Sequence, residues 1–256
     1  MLYLGPLVAD FRLPGIKMND IVLRFADVAK AYAGVTALSG FSLEVKRGEF
    51  FGLVGVNGAG KTTLIKCLLD FCDADGGTIE IFNVPHRATA ARARLAFLPE
   101  RFNPPFYLTG RDFLQYLLKL HRTPYDEARA TRMFEALDLE PSALDRPARA
   151  YSKGMTQKLG LAACLLSGKE LYVLDEPTGG LDPKARALLK SELKALRSAG
   201  HTVFFTSHAL ADVAEMCDRM AVLHAGRLRF AGTPQELIGR HGAPDLEQAF
   251  LSCIRA

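Results

Sequence analysis

Several features that would place a chain in a specialised class are missing from this sequence. No uninterrupted apolar stretch approaches the roughly eighteen residues that a membrane-crossing helix needs. Neither sign of charge dominates: 32 Lys and Arg against 28 Asp and Glu leave a net charge of +4. That balance is too weak to imply a nucleic-acid partner without a local cluster. The arginines at 87, 92, 94 and 101 are spread through mixed sequence, as on a solvated surface. Cysteine is scarce and odd in number: Cys67, Cys72, Cys164, Cys217 and Cys253. Their spacing does not resemble a zinc site. Most have apolar neighbours, so packing is their expected role, and a reducing compartment follows. There is no internal repeat, no low-complexity segment and no heptad run. The first sixteen residues begin apolar but lack a positive leading segment and are broken by Asp10, Arg12 and Pro14. They do not read as a signal peptide. Residues 1–19 are expected to form an N-terminal extension, with Met18 as an alternative start.

What is present is enough for a large core. The chain has 256 residues, 49% of them hydrophobic and 23% charged, an ordinary globular balance. One stretch organises it: Gly55-Val56-Asn57-Gly58-Ala59-Gly60-Lys61-Thr62-Thr63, which fits the pattern G-x-x-x-x-G-K-[ST]. Phe50-Phe51-Gly52-Leu53-Val54 precedes it and suits a buried strand; Leu64-Ile65-Lys66-Cys67-Leu68-Leu69 follows and suits a helix. Strand, glycine loop and helix are the context this motif requires. Gly55, Gly58 and Gly60 allow the backbone to turn its N–H groups onto a phosphate. A helix beginning near Lys61 adds the positive end of its dipole. Lys61 can reach β- and γ-phosphates, and the Thr62 hydroxyl can ligate Mg²⁺.

Around the loop, alternation predicts strands over 21–25, 41–45 and 78–82, and apolar runs predict others over 95–98, 171–174, 202–206 and 220–223. Residues 227–230 should pair with 220–223 around Ala225-Gly226. Between 109 and 167 the period becomes helical. Thr109 should cap a helix carrying Phe113, Leu114, Leu117, Leu118 and Leu120. A second should carry Met133, Phe134 and Leu137, and a third should span 152–166. A further helix is expected over 183–199, with proline in its first turn and Gly200 after its end. Two short helices should begin near Pro234 and Asp245. The layout is an α/β core interrupted by a helical insert.

The strand over 171–174 ends on Asp175-Glu176. In a phosphate-loop fold that end faces the nucleotide. Asp175 can hold Mg²⁺ or its water, and Glu176 can take a proton from an attacking water. Taken alone, such a pair also suits a surface edge strand. His208 follows another strand end, where a γ-phosphate contact is geometrically possible; an isolated histidine is usually structural.

In this order the motifs resemble those of the ATP-binding subunits of ABC transporters, over nearly all of residues 20–232. Residues 55–62 resemble Walker A, and 171–176 Walker B with its catalytic glutamate. Tyr151-Ser152-Lys153-Gly154-Met155 stands where the ABC signature stands, Gly180-Leu181-Asp182 resembles the D-loop, and Ser207-His208 the histidine switch. Tyr32 stands where the family stacks an aromatic on adenine. The resemblance implies a P-loop NTPase core, a mixed sheet flanked by helices, with an antiparallel β subdomain. It also implies a helical ABC-specific insert at about 100–167 and a helical tail over 233–256. It implies ATP and Mg²⁺ as cofactors. Glu176 and His208 would be catalytic. Tyr32, Gly55, Asn57, Gly58, Ala59, Gly60, Lys61, Thr62, Thr63, Ser152, Gly154 and Asp182 would bind nucleotide. Thr62, Glu100 and Asp175 would hold the metal.

Two departures stand out. Only Ser152 and Gly154 remain of the usual Leu-Ser-Gly-Gly-Gln signature, and Glu100 replaces the Q-loop glutamine. Both resemble exporter ATPases. The expected function is therefore an ATP-hydrolysing subunit, closing head to tail as a homodimer or heterodimer. It would drive a separate membrane-spanning permease from the cytoplasmic face, with no nucleic-acid partner. The apolar segment Phe102-Asn103-Pro104-Pro105-Phe106-Tyr107-Leu108 is a candidate dock for that permease, or a loop buried on the insert. The alternatives are a soluble ABC ATPase acting on ribosomes or nucleic acid, and a nucleotide-binding regulator without hydrolysis, against which Glu176 argues.

Overall fold

A computed structural model describes residues 21–255; the expected extension over 1–19 lies outside the described residues. In chain order the elements are β1 (Ile21–Tyr32), β2 (Val35–Lys46), β3 (Phe50–Val54), α1 (Lys61–Leu68), β4 (Gly76–Ile81), β5 (Val84–Pro85), α2 (Thr89–Arg92), β6 (Leu95–Leu98), α3 (Gly110–Leu120), α4 (Glu127–Ala136), α5 (Lys153–Leu166), β7 (Leu171–Asp175), α6 (Pro183–Ser198), β8 (Thr202–Ser207), α7 (Leu210–Met216), β9 (Arg219–His224), β10 (Arg227–Gly232), α8 (Pro234–His241) and α9 (Leu246–Arg255). They divide into two compact units, one of residues 21–95 with 202–255 and one of residues 96–201.

The first unit holds an antiparallel sheet, β2-β1-β4-β5, and a mixed one in which β8 and β9 run parallel to β3 and β10 folds back on β9. β3 is buried at all five residues, as a parallel strand covered on both faces must be. β2 alternates buried and exposed over residues 41–45, the pattern of a sheet with one wet face. Phenylalanines join the two sheets: Phe25 meets Phe41 edge-on at 5.5 Å, and Phe204 lies 6.3 Å from Phe25 and 6.0 Å from Phe51. β1 continues well past the expected Phe25, to Tyr32. Its pairing with β2 slips between Phe25 and Val28 and again before Lys30, and Asp27 is left-handed (φ 52). Those bulges break the period-2 pattern. α7 carries no start signal in the sequence, because Ala209, its cap position, gives it no side-chain cap.

The second unit is mainly helical. Thr109 caps α3 in a full capping box with Asp112, Asp126 caps α4 and Ser152 caps α5. Phe113, Leu114, Leu118, Met133, Phe134 and Leu159 fill its core. Strand β7 is buried throughout. α6 starts on Asp182 and Pro183 as the sequence signals. The whole is an α/β fold with a mixed sheet, flanking helices and an antiparallel sheet.

Candidate functional site

The glycine loop is held within the first unit by the β9–β10 turn, which is itself tied to β2. The Gly226 N–H donates to the Ala59 carbonyl at 3.0 Å, and the Ser39 N–H donates to Gly226 O at 2.8 Å. So the β9–β10 turn braces the loop and strand β2 braces the turn. A Cβ on Gly55 would lie 2.4 Å from the Leu223 carbonyl, and one on Gly60 2.5 Å from the Ala37 carbonyl. These two glycines are required by close backbone approach. Gly60 is also left-handed (φ 112), as is Gly58 (φ 80). Lys61 is buried and reaches back across the loop, its Nζ donating to Gly55 O at 2.6 Å. α1 begins at Lys61 with no side-chain cap and no acidic residue in its first turn. Its first N–H groups have no intrahelical acceptors, so this end suits an anion. Asn57, Gly58 and Thr62 are exposed, Thr63 is half-buried and Ala59 is buried.

Tyr32 ends β1 and is exposed. Its hydroxyl lies 3.3 Å from Cys72 Sγ and also interacts with the Thr63 side chain. The structure therefore places Tyr32 beside α1. The tyrosine hydroxyl is shifted up, mainly through its bond to Cys72. Lys30 Nζ stands 5.3 Å from the Tyr32 ring centroid and pairs with Asp75 at 2.8 Å. His208 follows β8 and is exposed.

In the second unit, Asp175 ends β7 and Glu176 follows; both are buried. Glu176 is left-handed (φ 50), a conformation costing a residue with a long side chain roughly 1–2 kcal/mol. Strain of this kind is concentrated at functional positions. Its carbonyl accepts the Gly179 N–H at 3.0 Å, which closes the turn. Asp182 caps α6, accepting from the Ala185 N–H at 2.9 Å, and that bond holds its carboxyl below the usual range. Ser152 caps α5, its Oγ accepting the Met155 N–H at 3.2 Å. A Cβ on Gly154 would find nothing nearer than Gly180 O at 3.8 Å. The signature segment and the 176–182 turn are thus neighbours, with space left at Gly154. Glu100, just beyond β6, is exposed.

The family model described as ABC transporter matches residues 38–179. The chain belongs to the ABC transporter family. It is one of the family's ATPases. An uncharacterized ABC transporter ATP-binding protein of Nostoc sp. strain PCC 7120 is 39% identical over 241 residues, spanning 90% of this chain and 71% of that protein. The Nod factor export ATP-binding protein I of Ralstonia nicotianae is 35% identical, over 93% of this chain and 74% of its own length. A solved ATP-binding subunit of an ABC transporter superposes with a TM-score of 0.84 at 27% identity, covering 91% of this chain and 99% of that one. No described helix is long and apolar enough to cross a membrane.

Two features of this ABC ATPase escaped the sequence reading. Tyr151, where the family signature carries leucine, donates its hydroxyl to Ala143 O at 2.5 Å. A Cβ on Gly110 would lie 2.3 Å from that hydroxyl, so a side chain there would have to push the tyrosine aside. Burial pushes the Tyr151 hydroxyl up to about 12, and it remains a donor. The second is the contact of Tyr32 with Cys72, which joins residues 40 positions apart. No spacing rule points to it.

Proposed function

We propose that this ABC ATPase is the subunit that powers an exporter, and that two copies, or one copy and a similar partner, close head to tail over two ATP molecules. The observation that carries the nucleotide role is the braced loop with an uncapped helix end and Lys61 drawn across it. Lys61 would ion-pair with the β- and γ-phosphates, while the N–H groups of residues 58–63 orient them. Tyr32 would stack on adenine. Glu176 would accept the proton of the attacking water, and His208 would contact the γ-phosphate. Space at Gly154 supports a nucleotide approaching from outside the chain, where Ser152 and Gly154 would grip its γ-phosphate, with Asp182 beside them.

Among the described residues no cluster of three or more His, Cys, Asp or Glu could cage a metal alone. That fits Mg²⁺, which is held by one or two side chains together with phosphates and water; Thr62, Asp175 and Glu100 are the residues proposed to hold it. When bound, the ion would neutralise phosphate charge.

Export is supported by the relative named for Nod factor export and by Glu100 in place of glutamine. The permease would be a separate chain, placing this subunit on the cytoplasmic face of a membrane. Phe106 and Tyr107 are each 66% exposed and meet edge-on at 5.5 Å, and this aromatic pair would be the part of the segment that docks the partner. Replacing Lys61 by Ala tests the nucleotide role. Titration with a fluorescent ATP analogue should show tight binding abolished, and unchanged affinity would contradict the assignment.

A further inference from the structure

We propose that Cys67 and Cys72 are a reversible redox pair, and that joining them as a disulfide weakens nucleotide binding. The second half rests on reading Tyr32 as the adenine platform. The two sulfurs lie 3.6 Å apart, so a movement of about 1.5 Å would bring them to bonding distance. They sit on different elements. Cys67 is buried in the last turn of α1, the helix that begins where the phosphate loop ends. Cys72 is half-exposed in the segment between α1 and β4.

That segment is fixed at both ends. At the start, Asp70 is left-handed (φ 63) and the Phe71 N–H donates to Lys66 O at 2.8 Å. At the finish, Asp75 accepts from Lys30 Nζ at 2.8 Å and from the Ala31 N–H at 2.7 Å, while its own N–H donates to Ala29 O at 2.8 Å. Cys72 is thereby held between α1 and the end of β1, with Tyr32 Oη 3.3 Å from its sulfur. Linking that sulfur to Cys67 would change its contact with the tyrosine, the step by which the bond would reach the nucleotide site.

The chemistry needs a peroxide, the oxidant class that reaches a half-exposed thiol. The Cys72 thiolate attacks the peroxide O–O bond, giving a sulfenic acid and releasing hydroxide. The Cys67 sulfur, having lost its proton, attacks that sulfenic sulfur. The S–S bond forms, the S–O bond breaks, and the oxygen leaves as water. Overall, two thiols lose two protons and two electrons, and one peroxide becomes two waters. Cys72 is the more exposed of the two and Cys67 is buried, with burial pushing the Cys67 thiol up to about 12, so Cys72 reacts with the peroxide first and Cys67 resolves it. A thiol reductant reverses the bond by exchange.

The test treats the full chain with hydrogen peroxide, maps disulfide-linked peptides by mass spectrometry, and titrates a fluorescent ATP analogue before treatment, after it, and after added dithiothreitol. The expected result is a peptide linked through Cys67 and Cys72, an affinity about threefold or more weaker, and recovery on reduction. In Cys72→Ser, whose hydroxyl can still meet Tyr32, peroxide should change nothing. A product with Cys72 over-oxidised and unlinked would overturn the pairing. A linked product with unchanged affinity would overturn the coupling. So would Cys67→Ala losing affinity to peroxide as fully as the natural chain. If the untreated protein binds no ATP, the nucleotide reading and the coupling fall, and the peptide map still decides the pair.

Discussion

Position 100 carries a carboxylate where the family more often has glutamine. Glu100 is exposed, and one charge at a partly screened distance is worth about a kilocalorie per mole. Glu100→Gln should therefore keep steady-state ATPase activity within about tenfold. Complete loss would show that the carboxylate has a catalytic task of its own and would displace Glu176. Glu192, in α6, is a different kind of carboxyl. Burial pushes it up to about 7 from its ordinary 4.5, and its Oε2 has no hydrogen-bond partner. Below pH 4.5 the group is protonated whether the chain is folded or not. Between 4.5 and about 7 the unfolded chain releases the proton and the folded chain keeps it, so stability falls as pH rises. Above that window the loss is complete, on the order of 1–3 kcal/mol. Glu192→Gln should raise the urea midpoint relative to the natural chain at pH 8 and leave it nearly unchanged at pH 4. An equal gain at both would mean that ionisation is not the cause.

Among the elements, α3 offers the cleanest local test, because both halves of its capping box are in place: the Thr109 side chain accepts the Asp112 N–H and the Asp112 side chain accepts the Thr109 N–H. Thr109→Ala should cost about 0.5–2 kcal/mol, read as a lower urea midpoint; an unchanged midpoint would show that the cap is replaced by water at no cost. This helix was legible because capping chemistry is local, and the same holds for α5, α6 and the β9–β10 hairpin. β1 was read only as far as Phe25, since its bulges near Asp27 destroy the alternation that marks a strand. α7, which has no capping side chain, gave no such signal. At the candidate site, the loop and the Asp175-Glu176 end could be read from contiguous residues. The strain at Glu176 and the Tyr151 bond to Ala143 depend on where the chain returns in space, which spacing does not encode. The sequence pattern gives Gly55 and Gly60 a role in turning N–H groups onto a phosphate, and the structure adds the carbonyls of Leu223 and Ala37 that they pack against.

For the whole molecule, the proposed cycle has ATP close two subunits head to tail and hydrolysis reopen them. Glu176→Gln keeps the size of the side chain and removes its ability to accept a proton, a change typically worth 10²–10⁴ in rate. Lys61, Thr62 and Asp175 are untouched, so ATP should still bind, and with turnover blocked the closed form should accumulate. The decisive measurement is size-exclusion chromatography of Glu176→Gln with ATP, with ADP and without nucleotide. A shift from monomer to dimer with ATP alone is the predicted result, weak in the natural chain and absent with ADP, which has no γ-phosphate for Ser152 and Gly154 to grip. Equal dimerisation with ADP, or normal hydrolysis by the variant, would contradict the account.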